Sequence, residues 1–178
     1  MKPKKSDSQK IDIQTGDWFL VPLDEGCFAL GIVALVQNLV VLGYFFPKVY
    51  VEVPSKAEIN QWKYTDAIFI HLTSGWYLEN GKWPIIHHSL DFKKSSWPLT
   101  DFGSIDSLDP KIAYRTRYID GNIGQLGYRW SVSPEEIVGL PQDGLAGVGF
   151  VELRLRRLLQ LGNVDETDDP KSIKIHKN

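Results

Sequence analysis

The sequence is poor in the residues that bind metals or lock small folds. It has one cysteine, Cys27, so no internal disulfide can form, and only four histidines in 178 residues. A lone cysteine fits a reducing compartment. Set inside an apolar run with no visible source of thiolate activation, it reads as a small buried hydrophobe. Charge of one sign is also missing: 20 Lys and Arg stand against 22 Asp and Glu. That balance lacks the basic footprint of a dedicated nucleic-acid binder. The longest apolar run, Cys27 to Val36, contains Gly31 and is far too short to span a bilayer. Met1 to Lys10 is polar and basic, without the apolar segment of a secretion signal. A soluble, cytoplasmic protein is the expectation.

Signatures of chemistry are equally scarce. There is no G-x-S-x-G elbow and no Walker lysine. Gly121, Gly124 and Gly127 in GNIGQLG do not have dinucleotide-binding spacing, and the stretch reads as a turn-rich loop. His87 and His88 are adjacent, and neighbours on a strand point to opposite faces, so one metal cannot easily take both. Asp101, Asp106 and Asp109 lack the glycine and terminal glutamate of a calcium loop and read as turn formers. No catalytic residue, metal or cofactor is assigned.

Aromatic residues are plentiful, with six Trp, seven Tyr and eight Phe, which suits a sheet core or a binding face. Met1 to Lys10 reads as a flexible arm, residues 11–161 as a single α+β domain, and residues 162–178 as a charged, disordered tail. Strands are predicted over Asp17 to Leu23, Cys27 to Val36, Leu39 to Phe46, and Lys48 to Val53, with Pro47 as the break. Short turns at Asp24-Glu25-Gly26 and Gln37-Asn38 make them antiparallel neighbours. The second strand is apolar on both faces, with Phe28, Leu30, Ile32 and Ala34 on one and Ala29, Gly31, Val33 and Leu35 on the other. Such a strand is central or covered on both sides. Gly31 marks a bend, a bulge or a close backbone approach, as in a strongly bent, SH3-like or partial-barrel meander.

Ser55-Lys56-Ala57-Glu58 and Ser133-Pro134-Glu135-Glu136 read as capping boxes that open short helices. Asp66 to Thr73 reads as a strand holding a structural His71. Asn80-Gly81 predicts a type I′ hairpin between Trp76 and Trp83. Ser89 to Pro110 reads as a long loop. Ile112 to Ile119 reads as a strand, with Arg115 and Arg117 alternating against Tyr114, Thr116 and Tyr118. An amphipathic helix is expected within Leu145 to Leu161, firm from about Phe150 because Gly147 and Gly149 weaken its start.

Two stretches carry a family likeness. Gly16-Asp17-Trp18-Phe19-Leu20-Val21-Pro22-Leu23, then Gly26, then Leu30-Gly31-Ile32-Val33, resembles the opening of bacterial immunity protein family 26. Asn80-Gly81-Lys82-Trp83-Pro84-Ile85-Ile86 resembles that family's later G-x-W-P-x-I stretch. The likeness runs from Ile11 to about Ile137. It implies an immunity protein of a polymorphic toxin system, which binds and neutralises a cognate toxin protein without a reaction of its own. Under that reading Trp76, Tyr77, Trp83, His87 and His88 are expected to form or border the partner-binding patch. The rival readings are an SH3-like module for peptide or nucleic acid, and a small hydrolase using His71, His87 or His88 with an aspartate.

Overall fold

The computed structural model describes residues 10–159. The expected arm up to residue 9 and the tail from residue 162 lie outside the described residues. Lys10, the arm's last residue, is paired with Glu79 at 3.1 Å.

The fold is α+β, with two antiparallel-based sheets. Strands β1 (Asp17–Pro22), β2 (Phe28–Gln37), β3 (Val40–Tyr50) and β4 (Phe69–Ser74) form the expected antiparallel meander. Strand β5 (Ile85–His88) adds antiparallel to β1, and β9 (Leu145–Ala146) adds parallel to β4, giving the order β5-β1-β2-β3-β4-β9. A second sheet holds β6 (Phe102–Ile105), β7 (Ala113–Ile119) and β8 (Asn122–Val132).

Strand β2 is apolar on both sides because it has a core on each. One face meets Trp18, Leu20, Tyr44, Phe46, Trp97, Phe102 and Ile123; the other meets Phe19, Val21, Phe45, Leu78, Trp83, Val151 and Leu155. Gly31 is a close approach. A Cβ there would come within 2.5 Å of the Phe19 ring, and the ladder skips a residue between Ala29 and Gly31. A second irregularity between Val33 and Leu35 turns Leu35 to the same core as Ala34, correcting the strict alternation expected for it.

Pro47 does not stop β3. It sits where three residues of β3 face Leu30 alone, so the ladder makes no demand for its missing N–H. The strand expected to continue to Val53 ends at Tyr50, and Val51 and Val53 are exposed. Ser55 caps α1 (Lys56–Ile59) in the predicted capping box, with its Oγ accepting from the Glu58 N–H. Ser133 opens a 3-10 turn over Pro134–Ile137, its N–H donating to Glu136 Oε1 at 2.9 Å.

Asn80-Gly81 is not a hairpin turn. Helix α2 (Trp76–Glu79) precedes it, Asn80 Nδ2 donates to the Trp76 carbonyl at 2.7 Å, and Gly81 has φ of 69°. Positive φ serves a helix C-terminus as well as a type I′ turn, and local sequence does not separate the two. The stretch read as a loop after Ser89 contains β6, whose Phe102 is fully buried, and GNIGQLG lies mostly in β8. The C-terminal helix α3 runs Val148–Leu158, starting two residues before Phe150 with Gly147 as its N-cap. Its Val151 and Leu155 are fully buried against the face that carries Phe19.

Candidate functional site

The link from β4 to β5 crosses the Phe19 face of the sheet and leaves a file of rings from core to solvent. Phe19 and Trp83, both fully buried, stack with centroids 5.7 Å apart and planes at 1°. Trp83 meets Tyr77 edge-on at 5.9 Å, and Tyr77 meets Trp76 at 5.2 Å. Trp76 ends the file with 49% of its surface exposed. Lys82 Nζ lies 4.6 Å from the Tyr77 ring and 5.0 Å from the Trp76 ring, a cation over both faces. Trp83 Nε1 donates to Glu152 Oε1 of α3 at 3.0 Å, so the C-terminal helix holds the buried indole from behind.

Of the residues expected in a partner patch, the fold brings Trp76, Tyr77 and Trp83 into contact. Trp76 is the exposed member and Trp83 the buried support. His87 and His88 lie on β5, half-buried, and the ladder opposes His87 to Trp18 and His88 to Asp17. Directly opposed residues share a face, so the two imidazoles point to opposite sides of the sheet. His88 Nδ1 bonds Asp17 Oδ1 at 2.8 Å, and the other Asp17 oxygen accepts from the Gln14 N–H at 2.7 Å. Ser89 Oγ accepts from Trp18 Nε1 at 2.9 Å. Among the described residues no hydroxyl or thiol is hydrogen-bonded to an imidazole. The Asp17–His88 contact thus ties β5 to β1 and lacks the nucleophile of a hydrolytic triad.

His71 is buried and structural. Its Nδ1 lies 2.9 Å from the Leu72 carbonyl, and burial holds its pKa below the ordinary value. It lines a shallow cavity of about 300 Å³ with Asp143, Phe150 and the start of α3. Asp143 there accepts from Thr116 Oγ1 at 2.6 Å and Tyr118 Oη at 2.8 Å. Burial and the Asp143 bond push Tyr118 up to about 12. Among the described residues no three His, Cys, Asp or Glu side chains gather as a metal site. No helix there is long and apolar enough to cross a membrane.

A second surface lies on the smaller sheet. Residues Arg115 and Arg117 of β7 stand opposite Trp130 and Tyr128 of β8. Asp101, its side chain 6% exposed, accepts from Arg115 Nε at 2.7 Å and from Arg117 Nε and Nη2 at 2.6 and 2.8 Å. The paired Arg117 guanidinium, helped by Arg115, holds the Asp101 carboxyl below its usual range. The alternation of Arg115 and Arg117 was the visible signal. Trp130 was lost because β8 looked like a loop.

The stretch from Gly16 to Val33 and the segment around Trp83 fall inside a family match. Residues 14–113 match the family described as Immunity protein 26, so the chain belongs to that family. The match stops at Ala113, short of the Ile137 expected, and leaves β8 and α3 beyond it. No curated protein and no solved structure matches the chain.

Proposed function

We propose that this member of the Immunity protein 26 family binds a cognate bacterial toxin in the cytoplasm and blocks it by protein–protein contact. The observation that carries the reading is the ring file from Phe19 to Trp76. An exposed indole packed at 5.2 Å against a half-buried ring that itself meets the buried Trp83 loses little freedom on binding, which is what an interface anchor needs. Trp76 and Tyr77 are the anchors, with Lys82 supplying charge at the rim. Trp83 fixes them from below, and His88 borders the patch from β5, while His87 lies on the Trp18 face of the sheet. Trp, Tyr and a cation at the edge of a rigid scaffold match the composition of interface cores and rims.

Such a protein needs no reaction geometry, and the tied Asp17–His88 pair is consistent with that. The test is co-expression with the toxin encoded beside it. Restored growth and a complex that co-purifies support the reading. Growth arrest despite a folded, expressed protein overturns it.

A further inference from the structure

The second sheet exposes a face that toxin capture through Trp76 does not use. Among the described residues strand β8 pairs with β7 alone, and Tyr128 and Trp130, opposite Arg117 and Arg115, are open to solvent, 73% and 37% exposed. The opposite edge of the sheet is treated differently. Gly103 of β6 accepts from the Asp143 N–H and donates to the Pro141 carbonyl, so a following segment covers that edge. On the β8 side Gln37 Oε1 accepts from the Gly124 N–H, and among the described residues no strand pairs with β8 beyond β7.

On this face the guanidinium carbons of Arg115 and Arg117 both lie 5.8 Å from the Trp130 ring centroid. Asp101 grips both side chains from beneath, so their positions are set before any partner arrives. One carboxylate against two guanidiniums leaves one positive charge on the face. An apolar partner would strip water from that charge without pairing it, at a cost. A nucleic acid would want several unpaired cations in a row, and Asp101 cancels one of two. A carboxylate flanked by apolar side chains satisfies both the residual charge and the Trp130 and Tyr128 surfaces.

We infer that the Arg115–Arg117–Trp130–Tyr128 face of β7 and β8 is a docking surface for an acidic, partly apolar segment of a protein partner. It lies outside the stretch matched by the family, and it stands independently of the toxin reading. The test is titration of the full chain with a short peptide of alternating glutamate and leucine, followed by Trp fluorescence and by backbone NMR shifts. Binding that perturbs β7 and β8, falls about tenfold in the Arg117→Gln variant, and falls similarly in Tyr128→Ala supports the inference. Tyr128 is largely exposed, so its variant keeps the test valid if Arg117→Gln fails to fold. A peptide that shifts no β7 or β8 resonance overturns it. So does preferential binding of a single-stranded RNA oligonucleotide at the same face.

Discussion

Trp83 lies flat against Phe19, ring planes 1° apart, while the missing side chain of Gly31 makes room for the other end of the Phe19 ring. A contact 64 residues apart in the chain thus joins the opening hairpin to the segment that carries Trp76. Removing the indole should empty the centre of that core. Trp83→Ala is expected to lower stability by about 3–5 kcal/mol, measured by urea unfolding. Trp83→Phe should lose about 1–2 kcal/mol, because Glu152 is left without its donor.

Gly31 tests the same packing from the other side. A methyl there meets the Phe19 ring at 2.5 Å, and Phe19 is held by Trp83, so it has little room to retreat. Gly31→Ala should cost about 1–3 kcal/mol. Gly147→Ala, with open space around its Cβ, should move the unfolding midpoint far less.

Trp76 is exposed, so its loss should show in binding and not in folding. Trp76→Ala is expected to leave the thermal midpoint nearly unchanged while weakening toxin binding by about 2 kcal/mol, read by calorimetry. Lys82→Ala should lose less and should reduce the salt dependence of association. A toxin affinity unmoved by both substitutions would place the contact elsewhere.

His71 makes stability depend on pH. Burial lowers its folded pKa below the ordinary 6.5, so the unfolded chain takes up the proton first as the solution is acidified. The stabilisation is therefore whole above about pH 6.5 and declines as pH falls from there. Asp101 adds a second loss at lower pH, because its folded pKa is also depressed, from 3.8. Urea midpoints measured from neutral to acid pH should fall in two stages. His71→Gln should flatten the first, and Asp101→Asn should reduce the second, to which the depressed carboxyls of Glu58, Asp106 and Glu135 also contribute.

Asp17 joins two strands by a side chain as well as by the ladder. Asp17→Ala strands the Gln14 N–H and His88 Nδ1, and should cost about 1–3 kcal/mol. Hydrogen exchange should quicken first at the β5 amides, since β5 is an edge strand with β1 as its neighbour. Equal acceleration across β2 and β3 would show that the pair supports the whole sheet.

Much of this fold is written locally. The two-faced run of β2, the turn at Asp24 to Gly26, the Ser55 and Ser133 caps and the stripe of α3 each follow from period and from residues within one turn of each other. Those forces act over a few residues, so a single sequence reveals them. Asn80-Gly81 shows where this ends. Its backbone preference fits a helix terminus and a hairpin equally, and Leu78 dropping into the core on the Phe19 face is what selects the helix.

Local sequence was also silent on β8, where glycines and polar residues mask the period and only pairing with β7 defines a strand. The binding candidates divide in the same way. Trp76, Tyr77 and Trp83 are conspicuous as letters, but which indole is solvent-exposed and which is buried depends on Phe19 and Glu152, far away along the chain. The amino-acid order alone settled the meander, the helix caps and the family; the packing of distant side chains decided the remaining elements and which surfaces remain open, because burial is a property of neighbours that the chain brings together only by folding.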